Sequence, residues 1–70
     1  MVKNQKNIIG TNIKELRHAR NETQSQTAKN LYISRSCLAN YESGTRMPQE
    51  DILQNILNYF NVSAGDLFSG

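Results

Sequence analysis

Residues 23–46, TQSQTAKNLYISRSCLANYESGTR, decide the fold. The Thr23 hydroxyl can accept from a free amide in the turn that follows it, so the spacing predicts a helix over 24–31. Ser34 offers the same cap to a second helix over 35–42. Gly44 stands just past that helix, where a left-handed residue ends it at little steric cost. Only Tyr32 and Ile33 separate the two helices, so they must be neighbours at a steep angle. That is the geometry of a helix-turn-helix.

The second helix has two unlike faces. At roughly 100° per residue, Arg35, Ser36, Ala39, Asn40 and Ser43 fall on one side, while Leu38 and Tyr41 fall on the other, with Ile33 just before to pin it. Arginine forks onto guanine O6 and N7, and asparagine pairs with adenine N6 and N7. Ser36 and Ala39 are small enough to let the backbone approach a groove floor. The expected partner is double-stranded DNA, with 34–42 as the recognition helix and Arg35, Ser36, Ala39 and Asn40 as the base-contacting residues.

On these residues the chain resembles the Cro/repressor-type (XRE-like) helix-turn-helix regulators of phages and bacteria. The matching positions are Ile13, Leu16 and Arg17, then Thr23, Gln24, Ala28 and Leu31, the run Ile33-Ser34-Arg35-Ser36, Leu38, Tyr41-Glu42-Ser43-Gly44, Arg46 and Pro48. A weaker match continues through Leu53, Ile56, Asn61-Val62-Ser63 and Asp66-Leu67-Phe68. The resemblance implies an all-α, compact five-helix, lambda-repressor-like DNA-binding domain with its helix-turn-helix in helices 2 and 3. It also implies that Gln24, and Thr45 with Arg46 in the loop after the recognition helix, contact DNA phosphates, and that Arg17 pairs with Glu42 to tie the first helix to the third. Ser34, at the recognition helix N-terminus, joins the phosphate-contacting set. Three positions depart from the family pattern. Glu22 and Thr27 stand where leucine is usual, which is expected to weaken the small core around the second helix. Tyr32 stands where the turn usually has glycine, and a bulky residue is awkward there if the position needs a positive φ.

Seventy residues make one small domain, whose core supplies only a few kcal/mol, and no sizeable concave pocket or small-molecule ligand is expected. Apolar residues make up 37%, and no apolar run approaches the ~20 residues of a membrane span. Residues 1–7 are polar, with Lys3 and Lys6, and read as a flexible arm rather than a secretory signal; 8–70 is the domain, expected in the cytoplasm at the nucleoid. The lone Cys37 reads as a reduced thiol on the recognition helix; a redox-sensitive DNA contact is the sharper alternative. Net charge is only +2, but residues 1–46 carry all eight Lys and Arg against three acids, and 47–70 carry three acids alone. A basic front and an acidic back suit a protein that meets phosphate with one side.

The first helix is expected over 8–20, with Ile9, Ile13 and Leu16 at core spacing. His18 has no second histidine or cysteine near it and reads as a surface residue. Pro48 prepares a fourth helix over 49–60, whose Ile52, Leu53, Ile56, Leu57 and Phe60 form an apolar stripe too broad for the core alone. Ser63 and Asp66 form a capping-box pattern for a last short helix. Phe60, Val62, Leu67 and Phe68 are candidates for a homodimer surface, with core closure as the alternative. A dimer would read two half-sites one helical turn apart and double the contacts of one module. The function expected is a sequence-specific DNA-binding regulator, a repressor on a palindromic operator. The rival class is a protein-interaction module of the same fold, an antitoxin or adaptor. No nucleophile–base constellation, metal-ligand spacing or phosphate loop points to an enzyme, a metal or a cofactor.

Overall fold

Small polar side chains start three of the five helices and left-handed residues end two of them. The computed structural model describes residues 5–69, in which the elements are Gln5–Ala19 (α1), Gln24–Asn30 (α2), Arg35–Ser43 (α3), Glu50–Phe60 (α4) and Ala64–Phe68 (α5), with no strand among the described residues. Thr23 Oγ1 accepts from the Gln26 amide at 3.1 Å while Gln26 Oε1 accepts from the Thr23 amide at 2.8 Å, a reciprocal capping box. Ser34 Oγ accepts from the Cys37 amide at 3.0 Å, and Ser63 with Asp66 repeats the capping box at α5. Gly44 at φ 81° ends α3, and Asn61 at φ 56° ends α4. α4 begins one residue later than expected, because Gln49 is its cap and Pro48 precedes that cap. α1 begins earlier than expected: Gln5 to Asn7 of the anticipated arm are helical, and residues 1–4 lie outside the described residues.

The core is drawn from every helix. Ile9 and Ile13 of α1 meet Leu38 and Tyr41 of α3, and Ile56, Leu57 and Phe60 of α4 close over them with Leu67 of α5. α1 and α3 approach so closely that a Cβ on Gly10 would fall inside contact distance of the Tyr41 carbonyl and 2.8 Å from that of Glu42. α5 is fixed to α1 by Asn12, whose Nδ2 donates to the carbonyls of Leu67 (2.7 Å) and Ser69 (2.8 Å).

Phe60 and Leu67, set aside above for a dimer surface, are 6% and 0% exposed within the monomer. They close the core instead, because α4 and α5 turn these side chains onto α1 and α3. Val62 and Phe68 stay half-buried and keep some outward surface.

The departures at Glu22 and Thr27 compensate each other. Thr27 is fully buried, and its Oγ1 donates to Glu22 Oε1 at 2.6 Å. Tyr59 Oη donates to the same oxygen at 2.7 Å and accepts from Asn30 Nδ2 at 2.9 Å. The expected weak spot is therefore a satisfied polar cluster joining α2 to α4. Arg20 adds to it: its guanidinium lies 4.8 Å from the Tyr59 ring centre, and Nη2 donates to the Tyr59 carbonyl at 2.8 Å. The hydrogen bonds from Thr27 and then Tyr59 hold the Glu22 carboxyl below its ordinary value of 4.5. A depressed folded pKa gives stability that is complete above the ordinary value and is lost as pH falls below it, through the folded value. Glu22→Gln is accordingly expected to flatten the fall in melting temperature between neutral pH and pH ~3. Parallel profiles for wild type and variant would contradict this role.

Tyr32 does adopt a left-handed conformation, φ 59°, and its side chain is 95% exposed. The backbone is held there by the Tyr32 amide donating to Lys29 O (3.1 Å) and the Ile33 amide donating to Ala28 O (3.0 Å). A non-glycine residue is strained in this region, and an exposed ring recovers little packing. Tyr32→Gly should raise the unfolding free energy by about 1 kcal/mol, read as a shift of the urea midpoint; a lower midpoint would contradict the assignment of strain.

Candidate nucleic-acid interface

α3 is pinned from behind and bare in front. Leu38 and Tyr41 are 0% and 4% exposed, while Arg35, Ser36 and Ser43 are exposed and Ala39 and Asn40 are half-buried on the outer side. Among the described residues, the side chains of Arg35, Ser36 and Asn40 make no hydrogen bond within the chain, so their donors and acceptors remain available to a ligand. Burial pushes the Tyr41 hydroxyl up to about 12, with a hydrogen bond to Cys37 adding to the shift, so it stays protonated as part of the core. Cys37 is half-buried against it.

A buried ion pair fixes how far α3 stands out from the body. Arg17 Nε donates to Glu42 Oε2 at 2.7 Å and Arg17 Nη2 to Glu42 Oε1 at 3.0 Å, with both residues under 9% exposed. This fork raises the Arg17 pKa, chiefly through the hydrogen bond to Glu42. The remaining guanidinium nitrogen, Nη1, donates to the Glu22 carbonyl at 2.7 Å, and Nη2 also lies 3.2 Å from His18 Nε2. Gln24 completes the arrangement: its Nε2 donates to Glu42 Oε1 at 3.1 Å. Gln24, the first residue of α2, is thereby tied through its side-chain amide to the last turn of α3.

The loop after α3 is organised by one acceptor. The Asn40 carbonyl receives the amides of Thr45 (3.0 Å) and Arg46 (3.2 Å) and the Ser43 hydroxyl (3.1 Å). The Ser43 and Thr45 hydroxyls lie 2.8 Å apart, and the Arg46 side chain is exposed. Ser34, Thr45 and Arg46 thus flank one exposed helix with hydroxyl and guanidinium donors, functional groups of the kind that bind phosphate oxygens. Ser34 Oγ accepts within its cap and keeps its own proton to donate.

A match to the family described as Helix-turn-helix domain covers residues 10–70. The chain belongs to the XRE-like helix-turn-helix regulators. Among three curated relatives of the chain, two are HTH-type transcriptional regulators and one is an antitoxin. This helix-turn-helix chain is 38% identical over 58 residues to the HTH-type transcriptional activator BcrR of Enterococcus faecalis, covering 83% of the chain and 28% of that protein. It is 40% identical over 60 residues to the antitoxin PezA of Streptococcus pneumoniae, covering 86% of the chain and 38% of that protein. It is 38% identical over 60 residues to the uncharacterized HTH-type transcriptional regulator YazB of Bacillus subtilis, covering 86% of the chain and 87% of that protein. The chain therefore spans well under half of the first two relatives. No solved structure matches it.

Sequence reasoning located α3 and its outward face in this XRE-like domain, and the resemblance implied the Arg17–Glu42 pair that the structure contains. It missed the Gln24–Glu42 bond, the His18–Arg17 contact and the cluster centred on Glu22 and Tyr59. Glu22 and Tyr59 are 37 residues apart, and no local pattern signals that pairing. Gly10 did carry a signal, since a glycine inside an otherwise helical pattern marks a close approach of backbone. Among the described residues no group of His, Cys, Asp and Glu is arranged to hold a metal, and no helix is long and apolar enough to cross a membrane.

Proposed function

We infer that this protein is a sequence-specific transcriptional regulator that binds a palindromic operator as a homodimer and acts by binding, with no chemical step. α3 enters the major groove of each half-site. Arg35, Ser36, Ala39 and Asn40 meet base edges there, while Gln24, Ser34, Thr45 and Arg46 hold the flanking phosphates. The observation that carries this reading is the outer face of α3: an arginine and an asparagine without intramolecular partners, on a helix whose other face is locked into the core. Repression by occupying promoter DNA is the mode that needs only the domain described, and the cytoplasm is the compartment in which it would operate.

Arg35→Ala should cost ~1–3 kcal/mol of affinity for the selected site while changing affinity for random duplex much less. Equal losses on both would remove Arg35 from the base-reading set. The operator itself is accessible by selecting bound sequences from random duplexes with purified protein. Enrichment of an inverted repeat with half-sites about 10 base pairs apart is the expected result, and no enrichment at all would sink the reading.

The relative named as an antitoxin gives one specific reason to keep a second reading, a protein-binding module of the same fold. Salt separates the two. Binding through phosphates weakens steeply with salt, because the counterions it releases gain less entropy in a saltier solution, whereas a module that binds only protein has no affinity for random duplex to lose.

A further inference from the structure

The residue that breaks the turn pattern also leaves the largest unexplained feature of the surface. Tyr32 is the one large hydrophobic exposed among the described residues. It borders an open groove of about 400 Å³ between the end of α2 and α4, lined by Asn30, Leu31, Tyr32, Asn55, Asn58 and Tyr59. A chain this short was not expected to form such a concavity. The groove contains none of the residues assigned to DNA.

We propose that this groove receives Tyr32 of a second copy of this chain, so that two copies exchange tyrosines across a twofold axis. Three observations select that occupant. First, a twofold contact uses one patch against itself, so the patch must hold both a projection and a recess. Here Tyr32 and the groove beside it supply both. Second, the recess fits a tyrosine chemically. Leu31 and the Tyr59 ring give it apolar walls, and Asn55 makes no side-chain hydrogen bond among the described residues, so its carboxamide can satisfy a phenol hydroxyl that becomes buried. Asn58 Oδ1 is taken by Gln54 at 3.1 Å, which leaves the Asn58 amide hydrogens to donate. Third, no lining residue is charged. Like charges meeting across a twofold axis oppose association, and the groove lining itself brings none together.

The strained backbone fits the same account. Tyr32 is rooted in a turn held by backbone hydrogen bonds, so docking it orders only two side-chain torsions. Two exchanged rings and their rims make a contact at the small end of specific interfaces, which implies weak, concentration-dependent association. The core position of Phe60 and Leu67 removes the competing patch anticipated from sequence at its strongest points.

The test is sedimentation equilibrium of the protein without DNA, from micromolar to near-millimolar concentration. Its failure therefore leaves the DNA reading standing. Wild type is expected to show a monomer–dimer equilibrium, and Tyr32→Gly, which keeps the turn, is expected to lose it at least tenfold. Asn58→Arg and Asn58→Glu should each abolish self-association, because each sets like charges across the axis. An equimolar mixture of the two should restore a heterodimer, which loss of folding could not produce. The proposal is overturned if wild type stays monomeric throughout, if Tyr32→Gly associates as wild type does, or if the Asn58 mixture behaves like its components. A dimer that survives in Tyr32→Gly would place the contact elsewhere, as would Tyr32-dependent capture of a different protein by a monomeric wild type.

Discussion

Arg17→Ala is expected to lower the unfolding free energy by about 3 kcal/mol, a large share of what a domain of this size possesses. The loss does not come from the attraction between Arg17 and Glu42 alone. Glu42 is 8% exposed in the intact protein; with the guanidinium gone its carboxylate keeps only the Gln24 amide as a donor, and the Glu22 carbonyl loses its partner. A buried charge without its counterion is the expensive state, so the double variant Arg17→Met/Glu42→Leu should recover most of the stability. Urea midpoints of the two singles and the double measure this directly. A loss under about 1 kcal/mol for Arg17→Ala would mean that the pair behaves as an exposed one. DNA affinity should fall in the double variant even where stability returns, because Gln24 then has no carboxylate to hold.

Gly10→Ala is expected to be the most damaging single methyl in the molecule. A Cβ there meets main-chain carbonyls of Tyr41 and Glu42, and backbone cannot swing aside as a flexible side chain can. Overpacking of this kind costs about 1–3 kcal/mol or more, and it exceeds the ~1 kcal/mol that alanine returns through helix propensity. Relief requires α1 and α3 to separate, which would stretch the Arg17–Glu42 fork as well. The melting temperature of Gly10→Ala should therefore drop by several degrees. Gly65→Ala provides the control, since the nearest atom to its new Cβ would be the Ser63 hydroxyl at 3.7 Å. Equal melting temperatures for Gly10→Ala and wild type would show that the crossing has slack.

What could be read from sequence follows the range of the interactions concerned. Caps act over three residues, so Thr23, Ser34 and Ser63 announced their helices, and Gly44 announced the end of α3. The periodicity of Leu38 and Tyr41 against Arg35 and Asn40 set the outward face of α3, because a helix repeats regardless of what it packs on. Pairings between distant residues left no such trace. Tyr59 gives no hint in its neighbourhood that it reaches Glu22, and the same pairing turns two apparent core defects into mutual partners. For Phe60 and Leu67, core closure is the alternative to a dimer surface, and it is the one their burial favours for a related reason. Phe60 ends α4 and Leu67 lies on the short α5, and only the three-dimensional path of these helices decides whether such residues face inward.

Asn40 is held at one end and open at the other. Its carbonyl gathers the loop that follows α3, while its carboxamide takes no part in the fold. Architecture and message are thus written on opposite ends of one amino acid. Exchanging the side chain at this position leaves the backbone acceptor in place, so on the proposed DNA reading a half-site is reprogrammed at residue 40 without reworking the scaffold that presents it.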